Sequence, residues 1–537
     1  MISIAELSDR YVTELAAADP CLAAFMGIAG QDENLTDYGP EGFAVRRVLA
    51  RRTLDELADV EAGDAAERRA VQVLRDRLQV DLALADAGIP DAHVSVINGP
   101  FQNLRMAVEV LDQGVDTPRA ALASRVAAFP AALRSVRSSL VRARDEGRVS
   151  ARRQILLTAG QCGPTGEFLL GLEAPGSAAA ARACAEFGAF LTRELAPVAP
   201  ERDAVGPERY ALETRHQLGM DLDFEETYAW GWAELARIEA EMVATAGQIL
   251  PGASVAAVTA ALDADPKYRI RGKEAFREWI QELADRAIAD LSGTHFDLPE
   301  ALLAIDCRIP PTDGGIYYLA PTEDLRRPGQ VWYTFHGEEM ITWAVPAIMF
   351  HEGVPGHHLQ LGMTVMNQEL TRFQRICSEV HPGHAEGWGL YAERLMDELG
   401  YYADPAHRLG MLAGGQQIRA ARVVLDIGLH LELEIPRGTG FHEGERWTRD
   451  LGVEFLRLHS GPEDDSVIEF EIDRYLGMPG QALAYKVGER VWLEARAAAQ
   501  ARLGSVFDLK AFHSESLGLG PMGLDLLRTE LAAGLPS

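Results

Sequence analysis

Apolar residues recur with a helical period of about 3.6 residues through most of the first half of the chain. These stretches are rich in alanine and leucine, and the polar positions between them have the charges of solvated helix faces. The pattern predicts a mainly α protein whose residues 1–291 form a helical scaffold. The predicted helical stretches run roughly over residues 3–18, 44–87, 118–146, 178–196, 223–249 and 273–291.

The pattern changes after about residue 291, where glycine and proline become frequent. Within this region, residues 316–319 and 331–335 have the β-branched and aromatic composition of strands, and residues 324–329 between them are typical of a turn. We therefore predict a small antiparallel β element within a catalytic region over residues 292–537 that is integrated with the scaffold. An exposed edge of this element would let an extended peptide add main-chain hydrogen bonds, although an ordinary structural hairpin explains the same pattern.

The segment from His351 to Gln360 reads His-Glu-Gly-Val-Pro-Gly-His-His-Leu-Gln, which is the composition of a metal site. Familiar zinc proteases place two histidines four residues apart on one helical face, but here Pro355 occupies the second position. Because Pro-Gly distorts a helix, we expect a break there that brings a later histidine back to His351. This reasoning favours His357 over His358 as the second ligand.

A third ligand is expected from the segment that follows Pro382-Gly383, which is typical of a helix. Glu386 would lie in its first turn, where a second helix could supply a carboxylate ligand. Glu393, two turns later on roughly the same face, could orient a ligand. His384 is the competing third ligand.

Polar residues in the C-terminal third are candidates for stabilising an oxyanion. Tyr475 and Tyr485 could each donate a phenol hydrogen to the scissile carbonyl, and His430 follows Arg422 and Asp426 at helical spacing. A buried tyrosine that only satisfies its hydroxyl, and an ion pair between Arg422 and Asp426, are the structural alternatives.

The same region also supplies cations in an otherwise acidic chain. Arg422, His430, Arg474 and Lys486 are each a candidate for holding a substrate carboxylate through a charge-assisted hydrogen bond. Such a contact predicts cleavage near a free C-terminus.

Four ordered motifs resemble the bacterial domain-of-unknown-function 885 (DUF885) family, which is regarded as zinc-dependent peptidases related to the gluzincins. The resemblance covers nearly the whole chain and implies a large two-lobed helical metallopeptidase-like fold, zinc and peptide-like substrates. It implies no particular substrate. The four motifs lie at residues 351–360, 386–393, 422–430 and 474–488.

Composition and charge narrow the class of partner. The 537 residues carry a net charge of −29, from 80 acidic and 51 basic side chains, so nucleic acid and anionic membranes would be repelled.

Five cysteines without paired spacing predict reduced, mostly buried thiols. The N-terminal residues lack a basic-then-apolar signal pattern, and no uncharged apolar run is long enough to span a bilayer. We expect a cytoplasmic protein of undetermined oligomeric state.

These features predict a zinc-dependent hydrolase that cleaves amide bonds of short peptides or peptide-like small molecules. Zinc on His351, His357 and Glu386 would keep a position for water. Glu352 would take a proton from that water and pass it to the leaving nitrogen. Iron suits a similar ligand set, but a carboxylate directly after the first histidine favours zinc. The alternatives are a metal-dependent amidohydrolase acting on a non-peptide metabolite and a non-catalytic metal-binding protein, and the intact Glu352 argues against the second.

Overall fold

The computed structural model describes residues 2–112, 119–310, 315–377, 381–461 and 464–533. Most of these residues are helical and few lie in strands, so the predicted mainly α class is confirmed. Each predicted helical stretch corresponds to helix, except that residues 44–87 contain two helices instead of one. The second of them begins after Asp64, whose side chain accepts a hydrogen bond from the backbone N–H of Glu67 and so caps a new N-terminus.

The described residues cluster in two compact units, and unit 1 comprises Met1–His216, Thr371–Cys377 and Glu469–Pro479. Its core is formed by apolar side chains that include Phe101, Phe129 and Phe187. Its helices are α1 (Ile4–Ala18), α2 (Pro20–Phe25), α3 (Pro40–Leu57), α4 (Ala65–Asp86), α5 (Pro100–Asp112), α6 (Arg119–Asp145), α7 (Arg152–Gly171), α8 (Ser177–Phe190), most of α9 (Pro207–Leu218), α15 (Arg372–Ile376) and most of α20 (Asp465–Gly477).

Unit 2 comprises Gln217–Leu370, Ser378–Ile468 and Gly480–Ser537. Its helices are α10 (Phe224–Ile249), α11 (Val255–Ala264), α12 (Lys273–Leu291), α13 (Val345–Glu352), α14 (His357–Met366), α16 (Pro382–Glu398), α17 (Pro405–Gly410), α18 (Ile418–Leu431), α19 (Arg449–His459), α21 (Ala484–Leu503), α22 (Leu509–Gly518) and α23 (Leu524–Ala533). The division proposed from the sequence at residue 291 falls inside this unit, because α10 packs on α17 and α18 and α12 packs on α13.

Five short strands precede α13: β1 (Arg269–Arg271), β2 (Asp306–Arg308), β3 (Ile316–Leu319), β4 (Gln330–Tyr333) and β5 (Glu339–Ile341). The predicted antiparallel pair is present as β3 and β4, in a register that places Tyr317 opposite Trp332. Their rings stack with centroids 6.2 Å apart, a cross-strand contact that stabilises the pairing. β2 adds a parallel neighbour on the other side of β4, and β5 pairs with β1. β3 is therefore an edge strand of its sheet, and peptide pairing at that edge stays a prediction.

The five cysteines are buried free thiols, as the sequence predicted. Within the described ranges, no helix combines the length and the apolar character that crossing a lipid bilayer requires.

Candidate metal centre

The segment predicted to bind metal is divided between two helices. α13 ends at Glu352 and α14 begins at His357, so the histidine motif is broken where the Pro-Gly pair was expected to break it. Across the break, the rings of His351 and His357 lie edge to face with centroids 4.8 Å apart. A regular helix would have pointed these two side chains in different directions.

Close packing fixes the connection between these helices. The Val354–Pro355 peptide bond is cis. A β-carbon on Gly356 would lie 1.8 Å from the carbonyl oxygen of His351, so only glycine fits there. Trp388 of α16 donates from Nε1 to the Pro355 carbonyl oxygen at 2.8 Å and ties the connection to α16.

His351, His357 and Glu386 converge on one point. Each offers a ligand atom, and these atoms lie within 4.8 Å of one another. The Nε2 atoms of His351 and His357 are 3.3 Å and 3.6 Å from the same Glu386 carboxylate oxygen. The structure therefore brings together the three residues that the sequence analysis assigned to a metal.

The donor set fits zinc. Ligand atoms about 2.0–2.2 Å from a common tetrahedral centre are about 3.3–3.6 Å from one another, and the two distances to Glu386 have these values. Two imidazoles and one carboxylate also form the protein ligand set of many catalytic zinc sites, which keep a fourth position open. His351 and His357 are buried and Glu386 is half-buried.

Glu393 of α16 fixes the orientation of His351. Nδ1 of His351 donates to the Glu393 carboxylate at 2.9 Å, and both side chains are buried. Nε2 of His351 then faces the Glu386 carboxylate at 3.3 Å, and this contact is favourable only with a proton or a cation between the two atoms. Burial lowers the pKa of His351, but Glu386 and Glu393 outweigh burial and raise it to about 10. The site therefore attracts positive charge.

Glu352 follows His351 in the chain, is 9% exposed and interacts electrostatically with His351, His357 and Glu386. Burial raises the pKa of its carboxyl group, and the nearby His351 and His357 only partly oppose that rise. A carboxylate with a raised pKa is a stronger base.

The two competing histidines point elsewhere. His358 is fully buried, with Nδ1 2.9 Å from the Tyr318 hydroxyl and Nε2 3.1 Å from the Leu302 carbonyl oxygen. His384 lies with Nδ1 3.0 Å from Nε2 of Gln360. Burial lowers the pKa of both histidines to about 4, so both are neutral at pH 7.

The three oxyanion candidates occupy different places. The Tyr485 ring stacks on His351 with centroids 6.4 Å apart, beside the metal centre. The Tyr475 hydroxyl donates to Glu471 at 2.8 Å, and this residue belongs to unit 1, whereas the metal centre belongs to unit 2. His430 is 3.8 Å from Asp426. Arg422, on the same helix α18, lies at the Tyr485 ring beside His351. His430 follows Arg422 by eight residues, which is about 12 Å farther along the helix.

Arg419 is the functional candidate that sequence reasoning missed. Its guanidinium lies 5.3 Å from the centroid of the Tyr485 ring, and its charge acts on Glu352. The sequence did contain one signal for Arg419. It precedes the candidate Arg422 by three residues, and residues three apart in a helix share a face.

Two solved structures are similar to this fold over nearly their whole length. A "putative lipoprotein" from Colwellia psychrerythraea is 21% identical, with a TM-score of 0.81, over 99% of this chain and 98% of that one. A "putative lipoprotein of unknown function" from Shewanella oneidensis is 17% identical, with a TM-score of 0.74, over 99% of this chain and 100% of that one. At these identities the similarity establishes the fold alone.

Among proteins with curated descriptions, none is significantly similar to this chain in sequence. A family model described as "Bacterial protein of unknown function (DUF885)" matches residues 20–531, which include the candidate metal centre. The chain therefore belongs to the DUF885 family.

Proposed function

We propose that this protein is a zinc-dependent hydrolase that cleaves amide bonds in short peptides. The observation that carries the proposal is the convergence of His351, His357 and Glu386 beside the carboxylate of Glu352. Two imidazoles and a carboxylate would hold zinc, and zinc bound there would supply a Lewis acid that polarises the amide carbonyl and lowers the pKa of water.

Glu352 is the proton carrier in this proposal. Its carboxylate takes a proton from the attacking water and then gives that proton to the leaving nitrogen. Burial raises the pKa of Glu352, and a stronger base accepts the proton more readily.

The other residues orient the reacting groups. Glu393 holds the His351 ring so that Nε2 points toward Glu386. The Tyr485 phenol, stacked on His351, is our proposed donor to the oxyanion that forms as the carbonyl is attacked. Tyr475 is the weaker candidate for that role, since its hydroxyl is bonded to Glu471.

The decisive test is Glu352→Gln in protein purified with zinc. The amide keeps the size of the side chain but cannot accept the proton, so zinc content should stay near one per chain while turnover of short peptides falls about 10²-fold or more. Glu338→Gln, a change at an exposed carboxylate of the same unit, is the matched control and should retain turnover. Full turnover in Glu352→Gln would refute the mechanism.

The substrate class is tested in the same assay by comparing short peptides with N-acyl amides of small metabolites. Higher kcat/KM for the N-acyl amides would favour the non-peptide amidohydrolase. Metal binding without turnover of either class would favour the non-catalytic metal-binding protein.

A further inference from the structure

A small pocket adjoins the metal centre, where α13 approaches the π-helical turn Met411–Gln417 and the start of α18. Its volume is about 30 Å³. Polar side chains reach it from three elements: His351 and Glu352 of α13, Glu393 of α16 and Arg419 of α18. A group bound in this pocket would therefore be in contact with the residues to which we assign the chemistry.

Glycines keep the pocket small. A β-carbon on Gly410 would lie 2.5 Å from the Cα of Ala344, and one on Gly415 would lie 1.9 Å from a carboxylate oxygen of Glu393. These residues let the π-helical turn lie directly against α13 and α16. Pockets for whole drug-sized ligands contain about 300–1,000 Å³, so this much smaller space admits only a small end group of a substrate and not a long chain.

Arg419 is the cation of the pocket. Its guanidinium donates to the Gly414 carbonyl oxygen and lies over the Tyr485 ring. Its Nε is buried and has no hydrogen-bond partner among the described residues. Arg422 adds a second guanidinium at the same ring, also 5.3 Å from its centroid. A buried donor without a partner is costly, and the guanidinium that carries it lines the pocket.

Two of the cations suggested by the sequence are already neutralised. Lys486 is 3.0 Å from Glu234 and also contacts Glu489, and Arg474 is 2.8 Å from Glu471. The described polar contact of Arg419 is with a carbonyl oxygen instead of a carboxylate.

We propose that Arg419 binds a carboxylate of the substrate, so that preferred substrates carry a carboxylate close to the scissile amide. The planar guanidinium would hold it through charge-assisted hydrogen bonds. Glu352 and Glu393 line the same pocket and repel an anion, so the carboxylate binds at the end of the pocket formed by Arg419. This inference rests on the proposed hydrolase function and deepens it. The carboxylate can be a free C-terminus or an acidic side chain, and both share this chemistry.

The first test measures binding without turnover, in zinc-loaded Glu352→Gln protein titrated with four short peptides. The first pair has one sequence, with a free C-terminus in one peptide and an amidated C-terminus in the other. The second pair is amidated in both peptides and differs in one residue beside the scissile bond, which is Glu in one and Gln in the other. We expect at least one carboxylate to tighten Kd by about 10- to 100-fold over its neutral match. The pair that shows the difference identifies which carboxylate is bound.

Variants then assign the preference to Arg419. Adding Arg419→Gln should abolish the difference in Kd, and adding Arg419→Lys should reduce it, because lysine keeps the charge but not the planar fork. Arg271→Gln, which removes an exposed arginine of the same unit, should keep the full difference. Equal Kd values within both peptide pairs, or a preference that survives both Arg419 variants, would overturn the inference. A merely structural role for Arg419 would weaken all four peptides equally, which also overturns it.

The wild-type kcat/KM values separate this inference from the proposed function. Cleavage of all four peptides at equal rates would refute carboxylate binding and leave the hydrolase function standing. A carboxylate-dependent Kd without any cleavage would refute the hydrolase function and leave the role of Arg419 standing.

Discussion

His357 and His358 are adjacent in the sequence but have opposite environments. His357 contacts Glu386 at the metal centre, whereas both ring nitrogens of His358 are bonded to Tyr318 and to the Leu302 carbonyl. Successive residues at the start of a helix point about 100° apart, so only one of the two can face Glu386. The direction in which each side chain points, and not its residue type, therefore decides which of the two histidines can contact Glu386.

Alanine variants should separate the two histidines. His357→Ala removes a ligand, so purified protein should lose most of its zinc, as should His351→Ala. His358→Ala should keep zinc but lower the free energy of unfolding by about 1–3 kcal/mol, since it leaves a buried hydroxyl and a buried carbonyl without their partner. Metal analysis and urea unfolding measure the two effects. Full zinc content in His357→Ala would contradict the assignment.

Glu393 should affect zinc affinity without binding zinc. Glu393→Gln weakens the hydrogen bond that fixes Nδ1 of His351, so we expect zinc affinity to fall by about 10- to 100-fold, measured by competition with a chelator. Glu398→Gln removes a carboxylate from the exposed end of the same helix, where it pairs with Arg496, and should leave the affinity unchanged. An equal loss in both variants would mean a general charge effect.

At the scale of elements, the candidate metal centre depends on how closely α16 approaches its neighbours. Gly387 meets the backbone of Gly488 on α21, where a β-carbon would lie 2.5 Å from the Gly488 Cα. Gly389 packs against the His351 ring, where a β-carbon would lie 2.6 Å from the nearest ring atom. α16 can therefore place Glu386 and Glu393 at His351 only because these positions have no side chain.

Gly387→Ala should force α16 and α21 apart. We expect the free energy of unfolding to fall by about 1–3 kcal/mol, the usual cost of overpacking, together with a loss of zinc affinity because Glu386 moves with its helix. Gly247→Ala is the matched control in α10, where a β-carbon meets no atom within 4 Å, and it should stabilise by up to about 1 kcal/mol. Urea unfolding compares the two. An unchanged stability in Gly387→Ala would show that the helices can separate without cost.

At the scale of the whole molecule, stability should fall in mild acid because neutral histidines are buried. Burial lowers the pKa of His513 to about 3, with a further contribution from Arg496, and its Nε2 lies 2.7 Å from the Tyr391 hydroxyl. The folded state therefore resists protonation of His513, whereas the unfolded chain takes up the proton near pH 6.5. Its stabilising contribution is complete above pH 6.5 and is lost progressively as pH falls from 6.5 toward 3.

His513→Gln should reduce this acid sensitivity. Between pH 7.5 and 5.0, linkage with one such histidine costs the wild type about 2 kcal/mol, a loss that the variant should not show. His442→Gln is a control in which the pH dependence has the opposite sign. Glu445 and Glu454 raise the pKa of His442, so its contribution to the free energy of unfolding is present at low pH and is lost as pH rises. Unfolding curves at both pH values measure the difference. Parallel losses in wild type and His513→Gln would contradict the prediction.

Local information in the sequence was enough for the fold class, for most helices and for the β3–β4 pair. Helical periodicity and strand composition depend on neighbours within a few residues, and these signals persist in the folded chain. The convergence of His351, His357 and Glu386 could also be predicted, because ligand residue types cluster at a chain break that Pro355 and Gly356 predict.

Tertiary structure decided what depends on distance between elements. The boundary between the units, the stacking of Tyr485 on His351 and the position of Arg419 in the pocket that Glu352 also lines follow from how helices far apart in the chain pack, which short sequence patterns do not encode. Close contacts such as Gly387 on Gly488 set those distances. The chemistry of a side chain can be read from its residue type. A functional site also requires particular distances between side chains, and the close packing of the whole unit fixes those distances.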